Sequence, residues 1–128
     1  MADRHSINLS TAWCPQARAW VRRFGRPEGI EPGNVLWLVV ESAVGCRLDL
    51  NAVPLSAVEP GGVLRHEVTG QLSPRNELRV SPLDSGAAWP AGEPAPPSPH
   101  GRLPLPEAIA RVRLEIESRS PGGSTDLP

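Results

Sequence analysis

Val35-Leu36-Trp37-Leu38-Val39-Val40 is the most apolar run in the chain, and Arg47-Leu48-Asp49-Leu50-Asn51 follows it after a short break. The first stretch is rich in β-branched residues, too short for a core helix and bounded by turn residues. A strand buried on both faces reads this way, because neither side of the pleat meets water. The break falls at Glu41 to Gly45. In the second stretch Leu48 and Leu50 alternate with Arg47 and Asp49, the period of a half-buried strand. Val53, Pro54 and Leu55 then restart the chain in the opposite direction, which predicts a hairpin turning at Asn51 and Ala52.

The same logic extends both ways. Ile7 to Trp13 alternates apolar and small polar residues, a short strand. In Ala17 to Phe24, Ala17, Ala19 and Val21 take one side, while Trp20, Arg22 and Phe24 take the other. That second side is apolar with one cationic member. A Gly-, Pro- and Glu-rich loop runs from Gly25 to Asn34. Beyond the hairpin, Glu59-Pro60-Gly61-Gly62 is a turn, Leu64 to Val68 is strand-like, and Thr69 to Arg75 is a polar bend held by Leu72. Glu77 to Ser81 puts Leu78 and Val80 on one face. Glu107 to Ser118 has two readings. A helix would carry Ile109, Val112 and Ile116 on a stripe but leave Leu114 off it. A strand places Val112, Leu114 and Ile116 together, with Arg111, Arg113, Glu115 and Glu117 opposite, so the strand is taken. About seven short strands separated by turns predict an all-β fold, an antiparallel β-sandwich. It forms one domain over residues 1–118, with a mobile Pro-rich loop at 86–102 and a disordered tail at 119–128.

Bulk composition excludes more than it identifies. The chain has 128 residues with 12 Gly and 16 Pro, too much punctuation for a helix bundle. A net charge of −1 gives no reason to expect nucleic acid or an anionic membrane as partner. Cys14 and Cys46 are too few for a disulfide scaffold and lack metal-ligand spacing, so both are read as reduced, partly buried thiols, with no metal and no cofactor. Met-Ala-Asp-Arg-His-Ser at the start has no apolar run behind it, and no stretch approaches the ~18 apolar residues of a membrane helix, so a cytoplasmic protein is expected.

Four stretches, taken together, resemble the sugar-binding domain at the N-terminus of family 2 glycoside hydrolases, and the resemblance implies that the sandwich is a galactose-binding-like jelly roll. Trp20-Val21-Arg22-Arg23-Phe24 before Pro27 is similar to the family's early strand, and Val35 to Val40 to its central one. Leu48-Asp49-Leu50-Asn51 with Pro54-Leu55 resembles its V-x-L-N-G-x-x-L hairpin. His66-Glu67-Val68-Thr69, Leu72, Pro74 and Asn76-Glu77-Leu78-Arg79-Val80 resemble its F-D-V-T-x-x-L-x-P-G-x-N-x-L-x-V segment. Ala52 departs from the family's Gly and must then carry strain at positive φ or adopt another turn. Glu67 replaces an Asp, and the Pro-rich segment replaces an aromatic loop.

The resemblance implies a non-catalytic binding module for carbohydrate, using an aromatic platform at one end of the sandwich. The alternative is a protein-interaction or assembly domain, as a homo-oligomer or with another protein, that reuses the sandwich without sugar binding. Glycosidase chemistry needs two carboxylates about 5 to 10 Å apart across a cleft, and the acids here are scattered one or two to an element. His5, His66 and His100 fall in a terminus, a strand and a loop, with no nucleophile motif beside them, so no enzyme is expected. Trp89, in the Pro-rich stretch, with Arg22 and His100, make the candidate ligand set. Arg22 is otherwise expected to pair with Glu41 or stack on Trp20, and Trp13, Trp20 and Trp37 to fill the core. The charges of Arg111 to Glu117 are expected on a solvated face with cross-strand partners of opposite sign.

Overall fold

The computed structural model describes residues 4–16, 19–83, 104–107 and 109–118. Nine strands are described: β1 (Arg4–Asn8), β2 (Cys14–Gln16), β3 (Ala19–Gly25), β4 (Val35–Ser42), β5 (Arg47–Leu50), β6 (Val53–Pro54), β7 (Gly62–Glu67), β8 (Arg75–Ser81) and β9 (Arg111–Glu117). They pair antiparallel in two sheets, β1-β9-β4-β7 and β2-β3-β8-β5-β6. The fold is therefore the all-β sandwich expected. β2, three residues long, is not among the expected strands, and an element that short shows no alternation to detect; β6, two residues long, is the return arm of the expected hairpin. The expected loop at 86–102 and tail at 119–128 lie outside the described residues.

The apolar run becomes the inner strand β4, flanked by β9 and β7. Leu36, Leu38 and Val40 pair with Ile116, Leu114 and Val112 and face the second sheet. Val35 and Val39 on the opposite face are buried as well, as a strand covered on both sides requires. β4 continues through Ser42, two residues into the expected break. The chain turns at Gly45, whose φ of 81° brings it so close to Leu83 that a Cβ there would lie 2.5 Å from the leucine Cδ1. The second sheet contributes the rows Trp20–Val80–Leu48 and Arg22–Leu78–Leu50 to the interior. Trp13, Trp20, Leu38, Leu78 and Leu114 are among its largest fully buried side chains.

Three expectations change. The strand predicted from Ile7 to Trp13 stops at Asn8, because residues 9–13 carry the chain from the first sheet to the second. Ala12 adopts a φ of 63° in that crossing, and Leu9 and Trp13 turn into the core, the Trp13 indole N–H donating to the Leu9 carbonyl. Trp37 is not core. It stands half-buried on the outward face of β4, in the row Glu67–Trp37–Glu115. Arg22 does not pair with Glu41, which lies on the outward face of the other sheet and accepts a 2.8 Å hydrogen bond from Arg113. Facing inward, Arg22 donates to the Thr11 and Arg23 carbonyls at 2.8 Å each, tying the crossing segment to β3.

The hairpin forms where expected, with Leu50 opposite Val53 and two residues between them. Asn51 has a φ of 52° and Ala52 of 67°, the left-handed pair that a two-residue hairpin turn demands. Asn tolerates this region, whereas a Cβ at Ala52 costs about 1–2 kcal/mol there. Ala52→Gly is accordingly expected to stabilise the chain by about 1 kcal/mol, after the extra backbone entropy of glycine is subtracted. For a chain of this size that is roughly a 4 °C rise in melting temperature. A calorimetric scan showing a fall instead would mean that the Ala52 methyl group contributes packing that outweighs its strain.

Candidate functional site

An open cleft of about 610 Å³ lies where β3 ends beside the start of β8, next to the β5–β6 turn. Its walls are Arg23, Phe24 and Gly25 from β3, Pro74, Arg75, Asn76 and Glu77 from β8 and its approach, and Asn51 from the turn. The antiparallel register explains the mixture. Phe24 and Asn76 are opposite one another and point inward, where the half-buried Phe24 ring packs against the core. Arg23 and Glu77 face outward as a pair at 3.3 Å, and in the next outward row Arg75 faces Gly25, which has no side chain. Arg23 and Glu77 are both exposed, so their ion pair adds little stability.

Two asparagines hold this corner in shape. Asn76 is buried; its Oδ1 accepts from the Ser73 N–H at 2.8 Å and from Asn51 Nδ2 at 3.0 Å. Its Nδ2 donates to the Ser73 carbonyl at 2.9 Å and to the Phe24 carbonyl at 3.4 Å. Asn51 Oδ1 accepts from the Glu77 N–H, and the Asn51 N–H donates to the Glu77 carbonyl, each at 2.8 Å. Backbone from β3, β8 and the turn is thus clamped by side-chain amides, and the cleft is preformed rather than left to loop motion.

Among the described residues, Trp37 also lies near the surface, but it is covered by the chain itself. The Arg65 guanidinium lies 3.8 Å over its ring, and its indole N–H donates to Glu117 at 3.3 Å. Arg65 approaches Glu115 at 3.6 Å, and Arg113 bridges Glu115 at 3.0 Å and Glu41 at 2.8 Å. The hydrogen bond to Glu41, and then that to Glu115, push the Arg113 guanidinium above its ordinary pKa. The charged face of β9 is therefore partnered by opposite signs on other strands, Arg113 with Glu41 and Glu115 with Arg65, but Glu115 is buried and not solvated as expected. Two smaller clefts, of about 450 and 420 Å³, flank the exposed Glu107–Arg111 ion pair and have no aromatic lining.

Of the ligand candidates named from sequence, Trp89 and His100 lie outside the described residues, and Arg22 is not part of the cleft wall. Both cysteines are free thiols, Cys14 half-buried and Cys46 buried. Among the described residues no three His, Cys, Asp or Glu side chains come together as a metal site would require. No helix among them is long and apolar enough to cross a membrane. From the sequence, Phe24 is read on the aromatic side of its strand, Asn51 in a turn and Asn76 as a motif position, whereas Gly25 and Arg75, read as the start of a loop and the end of a bend, prove to be strand residues. The signal that could have joined them is the strand register, which sets Arg23-Phe24-Gly25 against Arg75-Asn76-Glu77.

Fold and cleft together define an antiparallel β-sandwich with a preformed cleft at one end. Among solved structures the chain is similar to part of an FMN-binding beta-glucuronidase from Facaelibacterium prausnitzii L2-6, with 15% sequence identity and a TM-score of 0.55. The likeness covers 91% of this chain and 23% of that one, so the chain spans about a quarter of the enzyme's length. At that identity it is a likeness of fold. No family model matches the chain, and no match is found among curated proteins.

Proposed function

We propose that the chain is a non-catalytic binding module, and that the cleft between β3 and β8 takes a carbohydrate. One observation carries this: the cleft combines the half-buried Phe24 ring with charged and amide-bearing side chains on a clamped backbone. Sugar rings present a C–H face and a polar edge, and a preformed wall with both characters suits them. The resemblance to the sugar-binding domain of family 2 glycoside hydrolases supports the same ligand class, as does a fold neighbour that is itself a beta-glucuronidase. The non-catalytic part rests on the acids. Among the described residues the cleft contains one carboxylate, Glu77, already engaged by Arg23, whereas glycoside hydrolysis requires two.

Nuclear magnetic resonance titration with a panel of oligosaccharides tests this. The backbone signals of Phe24, Gly25 and Asn51 should move for at least one glycan. Phe24→Leu, which keeps an apolar side chain but removes the ring, should weaken that glycan by about three- to tenfold. If no glycan at millimolar concentration moves those signals, the carbohydrate assignment is wrong. A sedimentation coefficient rising with protein concentration would then favour the assembly domain.

A further inference from the structure

We infer that the cleft selects an anionic saccharide, whose carboxylate or sulfate group sits on Arg75; this rests on the carbohydrate reading above. The inference comes from the strand register. On the outward face of the β3–β8 ladder, the row Arg23–Glu77 is neutral in sum, because the two charges meet at 3.3 Å. The next row is Gly25–Arg75, and it is unbalanced: a guanidinium stands opposite a residue without a side chain. The space there is open, since a Cβ built on Gly25 would meet only the Pro74 carbonyl oxygen, at an ordinary 3.6 Å. Among the described residues the Arg75 side chain makes no ion pair or side-chain hydrogen bond. With Arg23 and Arg75 against Glu77, the wall carries a net positive charge, although the chain as a whole carries −1.

A guanidinium offers a planar fork of N–H donors that matches a carboxylate or sulfate two bonds at a time. A ligand that supplied such a group in the notch above Gly25 would complete the row, as an acidic residue on β3 would have done. Its ring would then reach the Phe24 and Pro74 side of the same cleft. Hexuronic acids and sulfated sugars share this chemistry, so both belong in the test.

Three trisaccharides of one linkage separate the cases by calorimetric or resonance titration: galactose, galacturonic acid and sulfated galactose. The charged trimers should bind about tenfold more tightly than the neutral one, and the gap should shrink as salt is raised from 50 to 500 mM. Arg75→Gln should remove that tenfold advantage, so that the charged trimers bind the variant no more tightly than the galactose trimer does. Gly25→Glu should act the same way by filling the notch and pairing with Arg75, while Gly25→Ala, which adds only a methyl group, should retain the preference. An unchanged unfolding midpoint in the variants shows that the loss is not one of folding. Which charged trimer binds tells carboxylate from sulfate.

Equal affinity for neutral and charged trimers, or full anion preference in Arg75→Gln, would overturn this inference and leave the carbohydrate reading standing. Absence of binding by all three, with silence across the wider glycan panel, would instead remove the carbohydrate reading itself.

Discussion

Asn76→Ala is expected to lower the stability by about 3 kcal/mol, which for a chain of this length is roughly a 10 °C fall in melting temperature. The buried Asn76 amide makes four hydrogen bonds, to the Ser73 N–H, the Ser73 carbonyl, the Phe24 carbonyl and Asn51 Nδ2. A neutral hydrogen bond contributes about 1 kcal/mol net, and the longest of these four contributes least. Truncation also leaves backbone groups of the 73–76 bend without their partner, and water reaches only some of them. The loss should be local as well as global. Hydrogen exchange at the Ser73 amide, and at the Asn51 amide that bonds to Glu77, should accelerate more than exchange in the centre of β4. Asn76→Asp has the same shape and retains the two accepting contacts, but it cannot donate to the Ser73 and Phe24 carbonyls. A fall below 1 kcal/mol in Asn76→Ala would show that the corner is held by strand pairing alone.

Stability should also fall as pH rises from 9 to 11, by at most about 2.5 kcal/mol. Burial pushes the Cys46 thiol up from its ordinary 9.0 to about 11, against a smaller downward pull from its hydrogen bond with Ser42. Below pH 9 the thiol keeps its proton in both the folded and the unfolded chain, and the group contributes no pH dependence. Between 9 and 11 the unfolded chain has released the proton while the folded one retains it, so each step in pH favours unfolding. The chain makes this unusually clean to observe, because its 13 basic residues are all Arg and it contains no Tyr. No Lys or Tyr therefore titrates beside the Cys46 thiol in that window. Urea unfolding under reducing conditions at successive pH values reads the slope. Cys46→Ala should be less stable at pH 8 but nearly flat from 9 to 11, and an equally steep slope in that variant would assign the titration elsewhere.

Much of the fold was legible because alternation leaves a mark in composition. Leu48 and Leu50, Leu78 and Val80, and Val112, Leu114 and Ile116 each recur at every second residue, and each became a strand. Leu114 decided the last case, since a helix would have carried it away from the apolar stripe. The turn at Asn51 and Ala52 was legible from its length and from Asn, which accepts a positive φ. Trp37 was misplaced for the opposite reason. A run that is apolar at every position has no period, so nothing local says whether Trp37 or Leu38 faces the interior. The placement follows from pairing with β7 and β9, which puts Trp37 between Glu67 and Glu115. Arg22 was rightly placed on the aromatic side of its strand, but among its acceptors are the Thr11 and Arg23 backbone carbonyls, which carry no signature in the side-chain pattern.

By itself the sequence determined that the chain pairs short antiparallel strands into a two-layered, mainly aliphatic sandwich, because the hydrophobic period of two and the turn residues are local properties. Tertiary structure alone decided the cleft. Its walls come from residues 23–25, 51 and 74–77, which meet only through the hydrogen-bond register between β3 and β8 and through the Asn51–Asn76 contact. A register shifted by two residues would satisfy the same alternation, yet it would set another side chain opposite Gly25 and close the notch beside Arg75.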